Sequence, residues 1–424
     1  MAFSLTLLSI VLCYLSPAEV FPSLAPYHIQ QFILVPALAS TIPVFVMRGG
    51  GLQSPQYLLL IGFWFAVVIS LLSRLRLGAS FTAFTIFGVT VCIYFLVSMN
   101  TFSLPRINIF CRVLTLCALF MAIEGIYSIH TGYLAETLQY REFSEGGLVT
   151  SARIRAYGIL NDPNDFAQFL LVGLAFLGLS WKRRRLFRNL LLTTVPAAIL
   201  IYGIYLTGSR GAIFGLVAIA FAGTSRRLGI KKSLVLAVVL FAVLVGGQFG
   251  GGRDISIHEG SAAGRVIAWG SGIADLRGNP LFGVGYGQFT EYNDNTAHNS
   301  WVLCFAELGF FGYFFWLAML VTTVLGLETL AKAPTETPED ETFGRYVTPI
   351  RAALYSFLAT SWFLSRTYHE TLYILLALGG VLIYQRRKSL PTISIPLGHW
   401  VPLTCVLQII SVVVVYFMIR LRTF

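Results

Sequence analysis

Apolar runs long enough to cross a bilayer follow one another along nearly the whole chain. They fall at 2–16, 29–47, 55–73, 79–99, 107–130, 165–181, 190–206, 210–224, 233–248, 299–328, 349–365, 368–385 and 400–419. A hydrocarbon core ~30 Å thick calls for about 20 apolar residues in a helix. In lipid the backbone polar groups must be satisfied inside the segment, which selects helices. The pattern predicts an all-α polytopic membrane helix bundle of twelve or thirteen spans. Two long polar intervals interrupt it, at 131–164 and 249–298, and a third at 330–348 is acidic. Otherwise residues 1–424 read as a single integral membrane domain.

Composition narrows the class. Charged residues make up 12% of the chain and hydrophobic ones 56%, whereas a soluble domain carries about 25% charged residues. One water-soluble core is thereby excluded. The net charge of +11 would suit nucleic acid, but the basic residues cluster between the apolar runs. The clusters are Lys182 to Arg185 with Arg188, Arg226-Arg227 with Lys231-Lys232, and Arg386-Arg387-Lys388. Lysine and arginine gather on the cytoplasmic side of a membrane. An even number of spans separates each pair of clusters, so all three are expected inside. The intervals 131–164 and 249–298 and the turn Thr207–Arg210 are then outside, while the acidic stretch 333–343 is an inner linker. A full thirteenth crossing would leave Arg420 and Arg422 outside, against the rule. No lysine or arginine precedes the first run, so it is read as a membrane helix rather than a cleaved signal. The six cysteines lie in or beside apolar runs without metal spacing, as small core residues do.

Candidate chemistry gathers on the outer intervals. Arg153 and Arg155 precede Asn161-Asp162-Pro163-Asn164-Asp165. That run reads as a helix cap, with Asp162 at the N-cap, Pro163 in the first position and Asp165 two residues on. The cap does not account for the arginines, and a helix start beside them is a natural anion site. Thr207-Gly208-Ser209-Arg210-Gly211 joins two spans. Arg210 there either snorkels to headgroups or holds an anion between glycines that allow close approach. Arg265 lies in an amphipathic stretch ending at Trp269, and Gly283, Gly285 and Gly287 resemble a phosphate loop but lack a preceding strand. His298 and Asn299 open the next apolar run. A histidine so placed is either structural or catalytic. Glu307, inside that run, either pairs with a cation or serves function. Guanidinium forks suit phosphate oxygens, and a lipid-linked diphosphate would match a charged mouth beside apolar helices. No Walker motif, Asp-x-Asp pair or serine elbow occurs, so no metal or other cofactor is expected.

These pieces, in this order, resemble the O-antigen ligase and O-antigen polymerase superfamily of bacterial envelope glycosyltransferases. The likeness rests on Arg155, Gly158 and Asp162-Pro163-Asn164, and on Thr207 to Gly211. It continues through Gly264-Arg265 with Trp269, Pro280, Gly283 and Gly285, and Ala297-His298-Asn299 with Glu307, Gly309 and Gly312. The resemblance implies a metal-independent, GT-C-like enzyme of the inner membrane with its site facing the periplasm. It would take a glycan from undecaprenyl diphosphate, with lipid A-core as acceptor for a ligase. It implies Arg210 and Arg265 on the diphosphate, Arg155 and Arg153 assisting, His298 at the acceptor hydroxyl and Asn299 in substrate binding. A repeat-unit polymerase and a protein O-oligosaccharyltransferase remain open within the same class. A lipid-linked glycan flippase is the reading from another class. It needs ionisable residues deep in the helices, of which Arg112, Glu124 and Glu307 are the main ones.

Overall fold

The computed structural model describes residues 1–27, 29–47, 55–143, 149–250, 260–293, 295–333, 337–389 and 397–421. Helices form along the apolar runs, and the chain is an all-α polytopic membrane protein. The first five are α1 (Ala2–Leu15), α2 (Ile29–Met47), α3 (Pro55–Leu72), α4 (Leu77–Asn100) and α5 (Leu104–Thr131). After them come α6 (Pro163–Phe176), α7 (Val195–Leu206), α8 (Gly211–Gly246) and α9 (Gly260–Gly278). The last four are α10 (Ser300–Lys332), α11 (Pro338–Ser361), α12 (Glu370–Ser389) and α13 (Leu397–Arg420). Among the described residues, nine helical stretches are long and apolar enough to cross a membrane. The rest of the expected runs are helical too. The runs 210–224 and 233–248 form the two arms of α8, broken at Gly229 (φ 78°, ψ 162°) within the second basic cluster.

The polar intervals hold more structure than a loop reading allows. In 131–164 the strands β1 (Gln139–Phe143) and β2 (Val149–Ile154) pair antiparallel, Tyr140 opposite Arg153. About half of the described part of 249–298 is the helix α9. The acidic linker expected at 333–343 is largely the start of α11. Thr337 Oγ1 accepts from the Asp340 amide at 3.2 Å, and Asp340 Oδ2 accepts from the Thr337 amide at 2.9 Å. That reciprocal capping box, with Pro338 at the first position and acids against the helix dipole, nucleates a helix rather than a linker.

Contacts divide the chain into two compact units. The first comprises Met1–Gly49, Leu96–Arg253 and Ala331–Thr360; the second comprises Gly50–Phe95, Asp254–Leu330 and Ser361–Phe424. In the first, Asn100 Nδ2 donates to Thr41 Oγ1 at 2.8 Å and Thr6 Oγ1 at 3.1 Å, binding α1, α2 and α4 through one amide. A Cβ on Gly215 would lie 2.4 Å from Leu171 and 2.9 Å from Ser356 Oγ, so α8 crosses α6 and α11 closely at that position. Arg351, nearly fully buried, donates to the Ala222 carbonyl at 2.5 Å and Ser225 Oγ at 2.8 Å. Glu19 accepts from the Gly158 amide at 2.7 Å, joining two connections that the charge pattern places on one side.

The second unit is built on a broken helix. Gly309 (φ 60°, ψ −168°) interrupts α10 and frees carbonyls that an outside segment then takes up. Val284 N donates to Ala306 O and Gly285 N to Glu307 O, both at 2.9 Å. Beyond the break, Phe310 N donates to Pro280 O at 2.8 Å and Phe311 N to Leu281 O at 3.0 Å. Buried backbone groups require partners, and here the break and the segment 280–285 supply each other's. At the far end of α9, Arg277 lies 5.7 Å from the Tyr416 ring. The end of α13 therefore lies beside the end of α9 in this unit.

Candidate functional site

The first unit holds Arg153, Arg155 and Arg210. Asp162 caps α6 by accepting from the Asn164 amide at 2.8 Å, with Pro163 in the first position. The cap orients Asn164, whose Oδ1 accepts from Arg153 Nη2 at 3.2 Å. Arg153 Nε also donates to the Thr207 carbonyl at 2.6 Å. One guanidinium thus fixes the β-hairpin, the start of α6 and the turn at Thr207 together. Gly208 (φ 59°) lets that turn close over the Arg153 side chain, 3.2 Å from where a Cβ would sit. Arg210 follows at the N-cap position of α8, where amide groups and the helix dipole favour an anion. It is half-buried. Arg155 is engaged elsewhere, with Nε donating to Thr137 O at 2.9 Å and Nη2 to Glu136 O at 2.7 Å. Those bonds brace the approach to the hairpin.

The second unit holds Arg265, His298, Asn299 and Glu307. The Trp269 indole donates to the Ala297 carbonyl at 2.9 Å, tying α9 to the residue before His298. Arg265 lies one helical turn before Trp269, on the same face. Gly272 makes the approach of α9 possible, since a Cβ there would come within 2.5 Å of Val302. Asn299 is fully buried, and its Oδ1 accepts from the amides of Trp301 at 2.9 Å and Val302 at 3.1 Å, capping α10. That cap shapes the helix start. His298 adopts φ 46°, a left-handed conformation that costs a non-glycine residue about 1–2 kcal/mol. Strain of this kind persists where the surroundings over-determine it, which favours the functional reading.

Among the described residues, the partners of the Glu307 carboxylate are hydrogen-bond donors rather than a cation. Its carboxylate accepts from Phe289 N at 3.1 Å and Tyr368 Oη at 2.8 Å, holding two connections against the break in α10. The three glycines that resemble a phosphate loop have positive φ, at 70°, 111° and 69°. A Cβ on Gly283 would lie 2.3 Å from the Glu307 backbone. That motif is packing geometry.

Two connections in the second unit that the charge pattern places outside were passed over in the sequence. Arg74 Nη2 donates to the Gly283 carbonyl at 3.1 Å, and Arg76 bonds the Gln288 side chain. The connection Ser361–Glu370 bonds to the start of α10 through Ser300, whose Oγ donates to Leu364 O at 2.6 Å. Its signal was present: Arg366 is a basic residue in a connection that the charge pattern places outside, where lysine and arginine are disfavoured.

Residues 195–317 match the family model described as O-antigen ligase. No curated protein matches the chain. The matched stretch runs from α7 to the middle of α10 and takes in Arg210, Arg265, His298, Asn299, Glu307 and the glycine break. Over that stretch, this multi-pass membrane chain is similar to the O-antigen ligase family of glycosyltransferase-like enzymes.

Proposed function

We propose that the chain is an O-antigen ligase, moving a polysaccharide from undecaprenyl diphosphate to lipid A-core on the periplasmic face of the inner membrane. The observation that carries this reading is the strained His298, held between a carbonyl fixed by Trp269 and the Asn299 cap, within the family match. His298 takes the proton of the acceptor hydroxyl as that oxygen bonds to the anomeric carbon. The bond from that carbon to the diphosphate oxygen breaks, and the electron pair leaves with the diphosphate. Arg210 and Arg265 bind that leaving anion, so the charge that develops meets fixed cations, each such contact worth about 2.7–4 kcal/mol. Single displacement from the opposite face inverts the anomeric centre. Because guanidinium groups supply the positive charge, the reaction is metal-independent. Arg153 supports the turn that presents Arg210, and Arg155 supports the hairpin that presents Arg153.

The test is transfer by detergent-purified protein from undecaprenyl-diphosphate-linked glycan to three acceptors: lipid A-core, a lipid-linked repeat and a pilin-like peptide. Product on lipid A-core is the expected result. Product on either other acceptor alone makes the chain a polymerase or a protein O-oligosaccharyltransferase, and the ligase reading fails. Product on none, with lipid translocation in vesicles, would favour the transporter.

A further inference from the structure

The connection Ser361–Glu370 lies beyond the residues that the family match covers, yet it is laced to the His298 segment within the same unit. Thr296 and Ser365 share a hydroxyl bond at 2.8 Å, and the Arg366 amide donates to Ser300 Oγ at 2.8 Å. Thr367 Oγ1 donates to the Ser300 carbonyl at 2.7 Å. Thr296 and Ser300 bracket His298, so the connection and the histidine are held as one piece. At the other end, Tyr368 is tied to Glu307 and meets the Tyr286 ring at 4.6 Å.

The side chains on this piece have a shared chemistry. Trp362 packs on Trp301 with ring centroids 5.3 Å apart and on Trp269 at 6.2 Å. Trp269 is buried, whereas Trp301, Trp362 and Arg366 keep part of their surface open. Glu370 lies within electrostatic range of Arg366. A pyranose ring presents a face of polarised C–H groups and an edge of hydroxyls. Indole faces, with their negative quadrupole, attract the first, and a guanidinium beside a carboxylate donates to and accepts from the second.

We propose that Trp301, Trp362, Arg366 and Glu370 form a sugar subsite for the acceptor glycan beside His298. The proposal rests on the reading of His298 as the group at the acceptor hydroxyl. The competing account of these tryptophans is anchoring at the membrane interface, which would leave sugar affinity untouched.

The test measures binding to the full-length protein in detergent by calorimetry. The sugar probes are core oligosaccharide, freed from lipopolysaccharide by mild acid, and undecaprenyl-diphosphate-linked repeat; undecaprenyl diphosphate alone is the control. Trp362→Ala and Arg366→Ala should each weaken binding of the acceptor sugar about tenfold, the scale of one charge-assisted bond. Affinity for undecaprenyl diphosphate should stay unchanged, reporting an intact fold. Trp362→Phe should recover most of the affinity, and Arg366→Lys only part, since lysine lacks the fork. Unchanged sugar affinity in both alanine variants overturns the subsite, as does a wild-type protein that binds neither sugar. A wild-type protein that binds only the lipid-linked repeat, and loses it in these variants, supports the subsite while sinking the ligase reading. Normal transfer by His298→Ala sinks the role of the histidine whatever the affinities.

Discussion

At the residue scale, His298 sets function against stability. Its left-handed backbone costs about 1–2 kcal/mol for a residue with a Cβ. Glycine removes that cost but gains unfolded-state entropy. His298→Gly should therefore melt no lower than wild type in a detergent thermal-shift assay, by a margin of up to about 1 kcal/mol. Its transfer rate should fall by about 10²-fold or more with the loss of the proton acceptor. A variant that melts well below wild type would mean the side chain is structural. Asp275, on α9, carries a second prediction. Burial raises its carboxyl above the usual range, and the Asn293 amide bond only partly offsets this. A raised folded-state value means the ionised form is disfavoured by folding, so this group's stabilisation is complete in acid and lost as pH rises. Asp275→Asn should melt higher than wild type at pH 7, with the gap closing toward pH 4. A gap that is constant with pH would assign the effect to something other than ionisation.

At the element scale, the break in α10 and the segment 280–285 form one device, and Gly283 is its tightest point. A Cβ there would meet the Glu307 backbone at 2.3 Å, at a φ of 70°. Backbone cannot swing aside as a side chain can, so Gly283→Ala should fail to accumulate as folded protein, read by monodispersity after extraction. A well-folded Gly283→Ala protein would contradict the close approach. This device shows where the sequence was legible and where it was not. The apolar runs announced the long apolar helices, because a bilayer-length stretch has no other way to satisfy its backbone, whereas α9 arose in an interval read as polar. The Asp162 cap was legible because capping chemistry is local. The use of Gly283, Gly285 and Gly287 was not, because their partners at 306 and 307 are distant in sequence and no local pattern encodes a pairing. The same holds for Glu307, whose donors Phe289 and Tyr368 come from two separate connections. The helix at Pro338 was missed although Thr337 and Asp340 spelled its capping box, because acidic composition outweighed the local signal.

At the scale of the whole molecule, the proposed function assigns roles to Arg210, which lies in the first compact unit, and to Arg265 and His298, which lie in the second. Of these, the family match and the order of the motifs were legible from residues alone. The connection Ser361–Glu370 carried a basic residue as a signal, but its link to the start of α10 became visible only through its bonds to Ser300. The account stands or falls on whether the three residues serve one chemical event. The most direct measurement is the rate of glycan transfer by purified Arg210→Ala, Arg265→Ala and His298→Ala proteins, with the Arg210–Arg265 double variant completing a cycle. The account predicts folded single variants slowed by about 10²–10³-fold. It also predicts a double variant far less impaired than the product of the two, because both arginines bind one leaving group. Folded variants that transfer glycan at the wild-type rate, or arginine effects that simply multiply, would contradict it.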